Sequence, residues 1–181
     1  MVRQFKHHEQ KLLKKVDFFQ WKSDNPKEQT MVRRHHLHKR EDYVKYNKIC
    51  GYITELASLV SQLQPDDPFR QKVAAQILDK LYQCGLITTK NTMSQLARVT
   101  ATSMCRRRLS SVLVSLKMCQ TLQEATTLVE QGHVRVGTEV VKDPAFFVTR
   151  TLEDFVTWVD NSKIRKKIAT YYGTVDDYDM K

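Results

Sequence analysis

Apolar residues recur at helical spacing through the middle of the chain. From Glu41 onward, Tyr46, Ile49, Ile53, Leu56, Val60 and Leu63 fall at three- and four-residue steps, which draws one stripe along a helix. Pro65 forbids its continuation. Asp66-Asp67-Pro68 then supplies an acidic N-cap and a proline suited to the first helical position. The second stripe is Phe69, Val73, Ile77 and Leu81, and Gly85 is a natural C-terminal stop. The pattern predicts two antiparallel amphipathic helices of about 20 and 17 residues, packed stripe to stripe as a scaffold. Met93, Leu96, Ala97 and Val99 predict a further short helix within Thr88 to Ser103.

Past Cys105 the pattern changes twice. Leu109, Val112, Leu113 and Leu116 are spaced i, i+3, i+4 and i+7, which predicts one helix led by Arg106-Arg107-Arg108. Arginines at a helix start oppose the macrodipole by roughly 0.3–1 kcal/mol each when exposed, and a bound phosphate would compensate. Thr121-Leu122-Gln123-Glu124 has the capping-box pattern, opening a helix that buries Leu122, Ala125, Leu128 and Val129 and stops at Gly132. The period then shortens to two. In His133-Val134-Arg135-Val136 the valines face inward and His133 and Arg135 outward. Gly137-Thr138 suits a two-residue hairpin turn into Glu139–Lys142, and Asp143-Pro144 makes another turn. Phe146–Val148 and Phe155–Val159 are further strand candidates. The expected class is α+β, with two helices packed on a small, mainly antiparallel sheet.

Charge changes what this scaffold is expected to meet. The chain carries 30 Lys and Arg against 20 Asp and Glu, a formal +10, which favours a polyanionic partner. Residues 1–50 hold 13 of the cations against 6 acids, and residues 106–142 hold 6 against 3. The field is therefore local, in an N-terminal arm and in one later segment. The arm, residues 1–40, clusters Lys11, Lys14 and Lys15, then Phe18, Phe19 and Trp21, then a break at Ser23–Pro26. Its end, Arg33-Arg34-His35-His36-Leu37-His38-Lys39-Arg40, is too charged to enter a core by itself.

Several function classes lose ground. The four cysteines form no C-x-x-C pair, so buried thiols in a reducing compartment, cytosol or nucleus, are expected. No apolar run approaches a membrane span, and Met1–Gln20 has no apolar signal core. His35, His36 and His38 lack a cysteine or carboxylate at ligand spacing and sit among cations, so no metal is expected. Five glycines give a phosphate-cradling loop little to build on, and no nucleophile elbow occurs. No cofactor and no enzymatic activity are expected.

Arg107-Arg108-Leu109, Val112-Leu113, Glu124-Ala125, Leu128-Val129 and Gly132–Val136 with Asp143-Pro144 together resemble the S-four RNA-binding domain, named after ribosomal small-subunit protein number four. The likeness covers about 50 residues. Leu122 stands where many members carry a basic residue, and Gly137-Thr138 where many carry Asn-Gly. The same domain is appended to some pseudouridine synthases and a tRNA synthetase, whose catalytic domains have no room here. Arg3–Lys15, Asp17–Trp21, Tyr43–Lys48 and Ile164–Ile168 extend the resemblance to a eukaryotic nucleolar branch of that family. Its members belong to the U-three small nucleolar ribonucleoprotein of the small-subunit processome.

This resemblance implies an RNA face of Arg106, Arg107, Arg108, Lys117, Thr121, Gln123, His133, Arg135 and Lys142, with Arg33, Arg34, Lys39 and Arg40 of the arm as a second place to hold RNA. It implies as partners the U-three small nucleolar RNA, pre-ribosomal RNA and a large scaffold protein of the same particle, in the nucleolus of the nucleus. The expected organisation is a basic arm over 1–40, a helical region over 41–104, the RNA-binding domain over 105–159, and a C-terminal helix with an acidic tail over 160–181. A structural protein of a mature small ribosomal subunit stands as the alternative.

Overall fold

The structure, a computed structural model, describes residues 3–15 and 25–174. Helix α1 (His7–Lys15) buries no residue. Helix α2 (Pro26–Arg34) starts on Asn25, whose side chain accepts from the Lys27 amide, with proline in the first turn. Helices α3 (Arg40–Gln62) and α4 (Pro68–Gln83) follow, the latter capped by Asp67, whose carboxylate accepts from the Phe69 amide at 2.9 Å. A 3-10 helix over Met93–Arg98 and helix α5 (Ala101–Arg106) complete the helical half.

The core of this half runs along a line rotated from the expected one. Tyr46, Cys50, Ile53, Ala57 and Val60 of α3 face inward, whereas Ile49 and Leu56 are 40% and 48% exposed. The small side chains of Cys50 and Ala57 let the 3-10 helix and α5 approach, so Leu96, Val99 and Met104 occupy the space that Ile49 and Leu56 would need. On α4 the buried residues are Leu78 and Leu81, and Phe69 lies outside the core.

The second half begins with helix α6 (Leu109–Ser115), followed by α7 (Leu122–Glu130), β1 (Val134–Val136), β2 (Glu139–Val140), the short α8 (Arg150–Glu153), β3 (Val156–Trp158) and α9 (Lys163–Tyr172). The sheet is antiparallel in the order β2-β1-β3, with Val136 opposite both Glu139 and Val156. Gly137, at φ 62°, and Thr138 form the two-residue hairpin loop that the sequence predicts. Helices α6 and α7 pack on this sheet through Leu109, Val112, Leu113, Ala125 and Val129, against Val134, Val136, Val148 and Val156. Each fully buried Val or Leu here contributes roughly 1.5–3 kcal/mol. The Thr121 cap forms, its Oγ1 accepting from the Glu124 amide, while the Glu124 carboxylate reaches one residue further back and accepts from the Gln120 amide.

Two expectations are corrected. Phe146–Val148 is not a strand of the sheet. It runs antiparallel to the Arg107–Arg108 link, with the Leu109 amide donating to the Phe146 carbonyl and the Val148 amide to the Arg107 carbonyl, each at 2.8 Å. Phe146 packs on one core and Phe147 on the other, so this segment fastens the two halves. The end of the arm, in turn, is not fully solvated, because Glu28, His35 and Leu37 are all buried. A charged run enters the fold here because an ion pair between Arg40 and Glu28 at 2.5 Å ties α2 to α3.

Candidate nucleic-acid interface

The three consecutive arginines separate into three environments. Arg106 ends α5 and is exposed, where a cation complements the macrodipole. Arg107 turns inward: its Nε donates to the Val148 carbonyl and its Nη1 to Glu153, both at 2.9 Å. Gly85, at φ 75°, lets α4 end against this guanidinium, since a Cβ there would stand 2.8 Å from Arg107 Nε. Arg108 is the N-cap of α6 and only 2% exposed, with its Nη1 donating to Asp42 and to the Tyr46 hydroxyl at 2.9 Å. The expected helix led by three arginines is therefore two helices joined by a buried link. Internal carboxylates take the place foreseen for phosphate at Arg107 and Arg108, and Arg108 in particular is withdrawn from the surface.

The other expected site residues fall into groups. Arg33 and Arg34 end α2 in solvent, and Lys39 is the exposed N-cap of α3. Arg40 is engaged with Glu28. His35 is buried, and that burial lowers its pKa, helped by the charges of Arg34, Arg106 and Arg108. Lys39 lines the same cleft as Lys142, together with Lys45, which sequence reasoning did not single out. Among the described residues no ion pair engages Arg33, Arg34, Lys39, Lys45, Arg106 or Lys142.

Lys117 closes α6 in the left-handed region at φ 58°, with the Met118 amide donating back to the Leu113 carbonyl. Glycine is the usual occupant of that position. Thr121 and Gln123 are exposed at the start of α7, although the Thr121 hydroxyl already caps the helix.

His133 and Arg135 form a separate group with the C-terminal helix. His133 Nδ1 lies 3.1 Å from the Ser162 hydroxyl, which also caps α9. Arg135 donates to the Thr157 hydroxyl at 3.0 Å and to Asp160 at 2.6 Å, and Arg165 pairs with the same carboxylate. Lys163, Lys166 and Lys167 are exposed beside Arg165 on α9, a cationic turn that went unmarked as a contact surface because its neighbours in space were not legible. Phe18, Phe19 and Trp21, the aromatic group of the arm, lie outside the described residues. Among the described residues no cluster of His, Cys, Asp and Glu has metal-holding geometry, and no helix is long and apolar enough to cross a membrane.

The ribosomal protein S4/S9 N-terminal domain family matches residues 4–106, and the S4 domain family matches residues 107–154. Over 182 aligned residues the chain is 54% identical to the U3 small nucleolar ribonucleoprotein protein IMP3 of Saccharomyces cerevisiae, covering 99% of this chain and 100% of that protein. It is 50% identical to the Homo sapiens protein of the same name, covering 99% of each. Similarity to the small ribosomal subunit protein uS4 of Picrophilus torridus is lower, 23% over 144 residues, covering 78% of this chain and 79% of that one.

Proposed function

The chain belongs to the IMP3 family of U3 small nucleolar ribonucleoprotein proteins, and on that premise we propose that it is an RNA-binding component of the U3 particle that holds small nucleolar RNA against pre-ribosomal RNA. One observation carries the RNA face: cations distant in sequence, Lys39 and Lys45 with Lys142, line one cleft and, like exposed Arg34 and Arg106, make no ion pair among the described residues. Exposed cations of this kind are where phosphates replace released counterions.

The working set of contacts is Arg33, Arg34, Lys39, Lys45, Arg106, Lys117, Gln123 and Lys142, with Arg135 and the α9 cations as a second surface. Arg107, Arg108 and Arg40 support the face from within. The relatives are named as ribonucleoprotein proteins, which supports a binding role in the processome rather than a catalytic one. Annealing of the two RNAs, docking on a large scaffold protein, and a nucleolar location in early small-subunit rRNA processing complete the reading. The difference in identity and coverage between the two sets of relatives favours it over a place in the mature small subunit.

The test is a salt titration of binding to a U3-derived RNA. Each phosphate contact removed should flatten the log–log slope by about 0.7–0.9. Arg34→Gln with Arg106→Gln should flatten it by roughly twice that, with the unfolding midpoint unchanged. An unchanged slope would remove these residues from the face.

A further inference from the structure

A cleft of about 540 Å³ opens between the start of α3 and the loop after β2, within the roughly 300–1,000 Å³ range of small-ligand sites. Lys39 and Lys45 stand on one wall, Lys142 on the other, and Arg108 lines it where the two halves of the chain meet. We propose that this cleft receives one unpaired nucleotide of the bound RNA, its phosphate held by the three lysines and its base set against Arg108 and the Pro144–Ala145 turn. The proposal rests on the RNA-binding reading above and adds to it where and in what form one nucleotide is bound.

Three observations favour this occupant. The lysines make no ion pair among the described residues, so they are free to meet phosphate. Arg108 is nine-tenths buried and more, and its Nε has no hydrogen-bond partner among the described residues. A buried donor left over in this way loses its water without compensation, and a base carbonyl or ring nitrogen would satisfy it. The cleft also holds Glu41, Asp42, Glu130 and Asp143, which offset its cations. A duplex backbone, with a phosphate at every step, would be repelled by four carboxylates. A single nucleotide brings one phosphate for the lysines and amino or imino donors that carboxylates accept.

The experiment compares two RNA hairpins that differ only by one bulged nucleotide, bound to the full chain. The bulged RNA should bind about tenfold more tightly, the scale of one bound base. With 4-thiouridine at the bulge, crosslinks should fall on the peptides that contain Lys39–Lys45 or Lys142–Ala145. Ala145→Leu narrows the cleft. It should abolish the preference and leave binding of the fully paired hairpin within about twofold, with its unfolding midpoint reporting that the variant is folded. Equal affinity of wild type for the two hairpins overturns the proposal, as does a preference that survives in Ala145→Leu. Absence of salt-dependent binding to either hairpin would instead bring down the RNA-binding reading, and the cleft with it.

Discussion

Arg108 and Asp42, 66 positions apart in the chain, meet in a 2.9 Å ion pair that joins the helical half to the sheet half. The guanidinium is 2% exposed and its carboxylate partner 15%. Removing one member of a buried pair leaves the other charge desolvated and alone, which costs about 3–5 kcal/mol. Arg108→Ala should therefore lower stability by that amount in urea unfolding, with a smaller loss when Asp42→Ala is added. Additive losses in the double variant would show that the two residues are uncoupled. A loss of RNA binding in Arg108→Ala alone reports unfolding first, so Arg106 is the better probe of contact.

His35 makes stability depend on pH in one direction. Burial and the neighbouring arginines lower its pKa from 6.5, so the unfolded chain binds the proton more readily than the folded one. Its contribution is complete above the unfolded value and is lost as pH falls through the lowered folded value. His35→Gln removes that dependence. Between about pH 7.5 and pH 5 the wild type should lose more stability than His35→Gln, and parallel curves would dissociate His35 from the effect.

Lys117 sits where glycine would be at ease. A side chain in the left-handed region costs about 1 kcal/mol, and the exposed ammonium gives nothing back to the fold. Lys117→Gly should raise the unfolding midpoint and weaken RNA binding at low salt. A variant both more stable and equally tight would leave the strained lysine without a role in binding.

What was legible in the sequence was what short-range chemistry decides. The Thr121 cap, the Asp67-Pro68 start and the Gly137-Thr138 turn each close within a few residues, and each appears in the structure. The alternation in β1 was legible for the same reason. Neither the rotation of α3 onto Cys50 and Ala57 nor the fate of the arginines could be read that way. A stripe that includes Ile49 is as apolar as one that includes Cys50, and only the closeness of the 3-10 helix and α5 chooses between them. Whether an arginine stays free of the fold depends on carboxylates at a distance: Asp42 claims Arg108, Glu153 claims Arg107, and Glu28 claims Arg40, while Arg106 has no ion pair among the described residues.

Asp160 is shared by Arg135 and Arg165, so one internal carboxylate holds both guanidiniums. Asp160→Asn frees both guanidiniums. On the second surface this should tighten RNA binding and steepen the log–log salt slope by about one contact, 0.7–0.9. Unchanged affinity and slope would take Arg135 and α9 out of the RNA-binding surface.

The arm gives the sharpest test of annealing. Two RNAs repel through their phosphates, and cations that screen both lower the barrier to pairing without a nucleotide triphosphate. Arg33 and Arg34 end α2 in solvent, whereas Arg135 lies on β1 and the other cationic group on α9. One cluster can therefore hold a strand while the other screens its complement. Deleting everything before Glu41 would be a poor probe, because it would remove buried Glu28, His35 and Leu37 and expose the faces they cover. Arg33→Gln with Arg34→Gln keeps those contacts and removes only the charge. Full-length wild-type protein should speed pairing of a U3-derived strand with a pre-ribosomal strand, followed by fluorescence of labelled RNAs. The double variant should anneal roughly tenfold more slowly, while keeping its unfolding midpoint and most of its affinity for a single strand. Equal rates would assign the end of α2 to docking on the particle, since its charge would then play no part in bringing the two RNAs together.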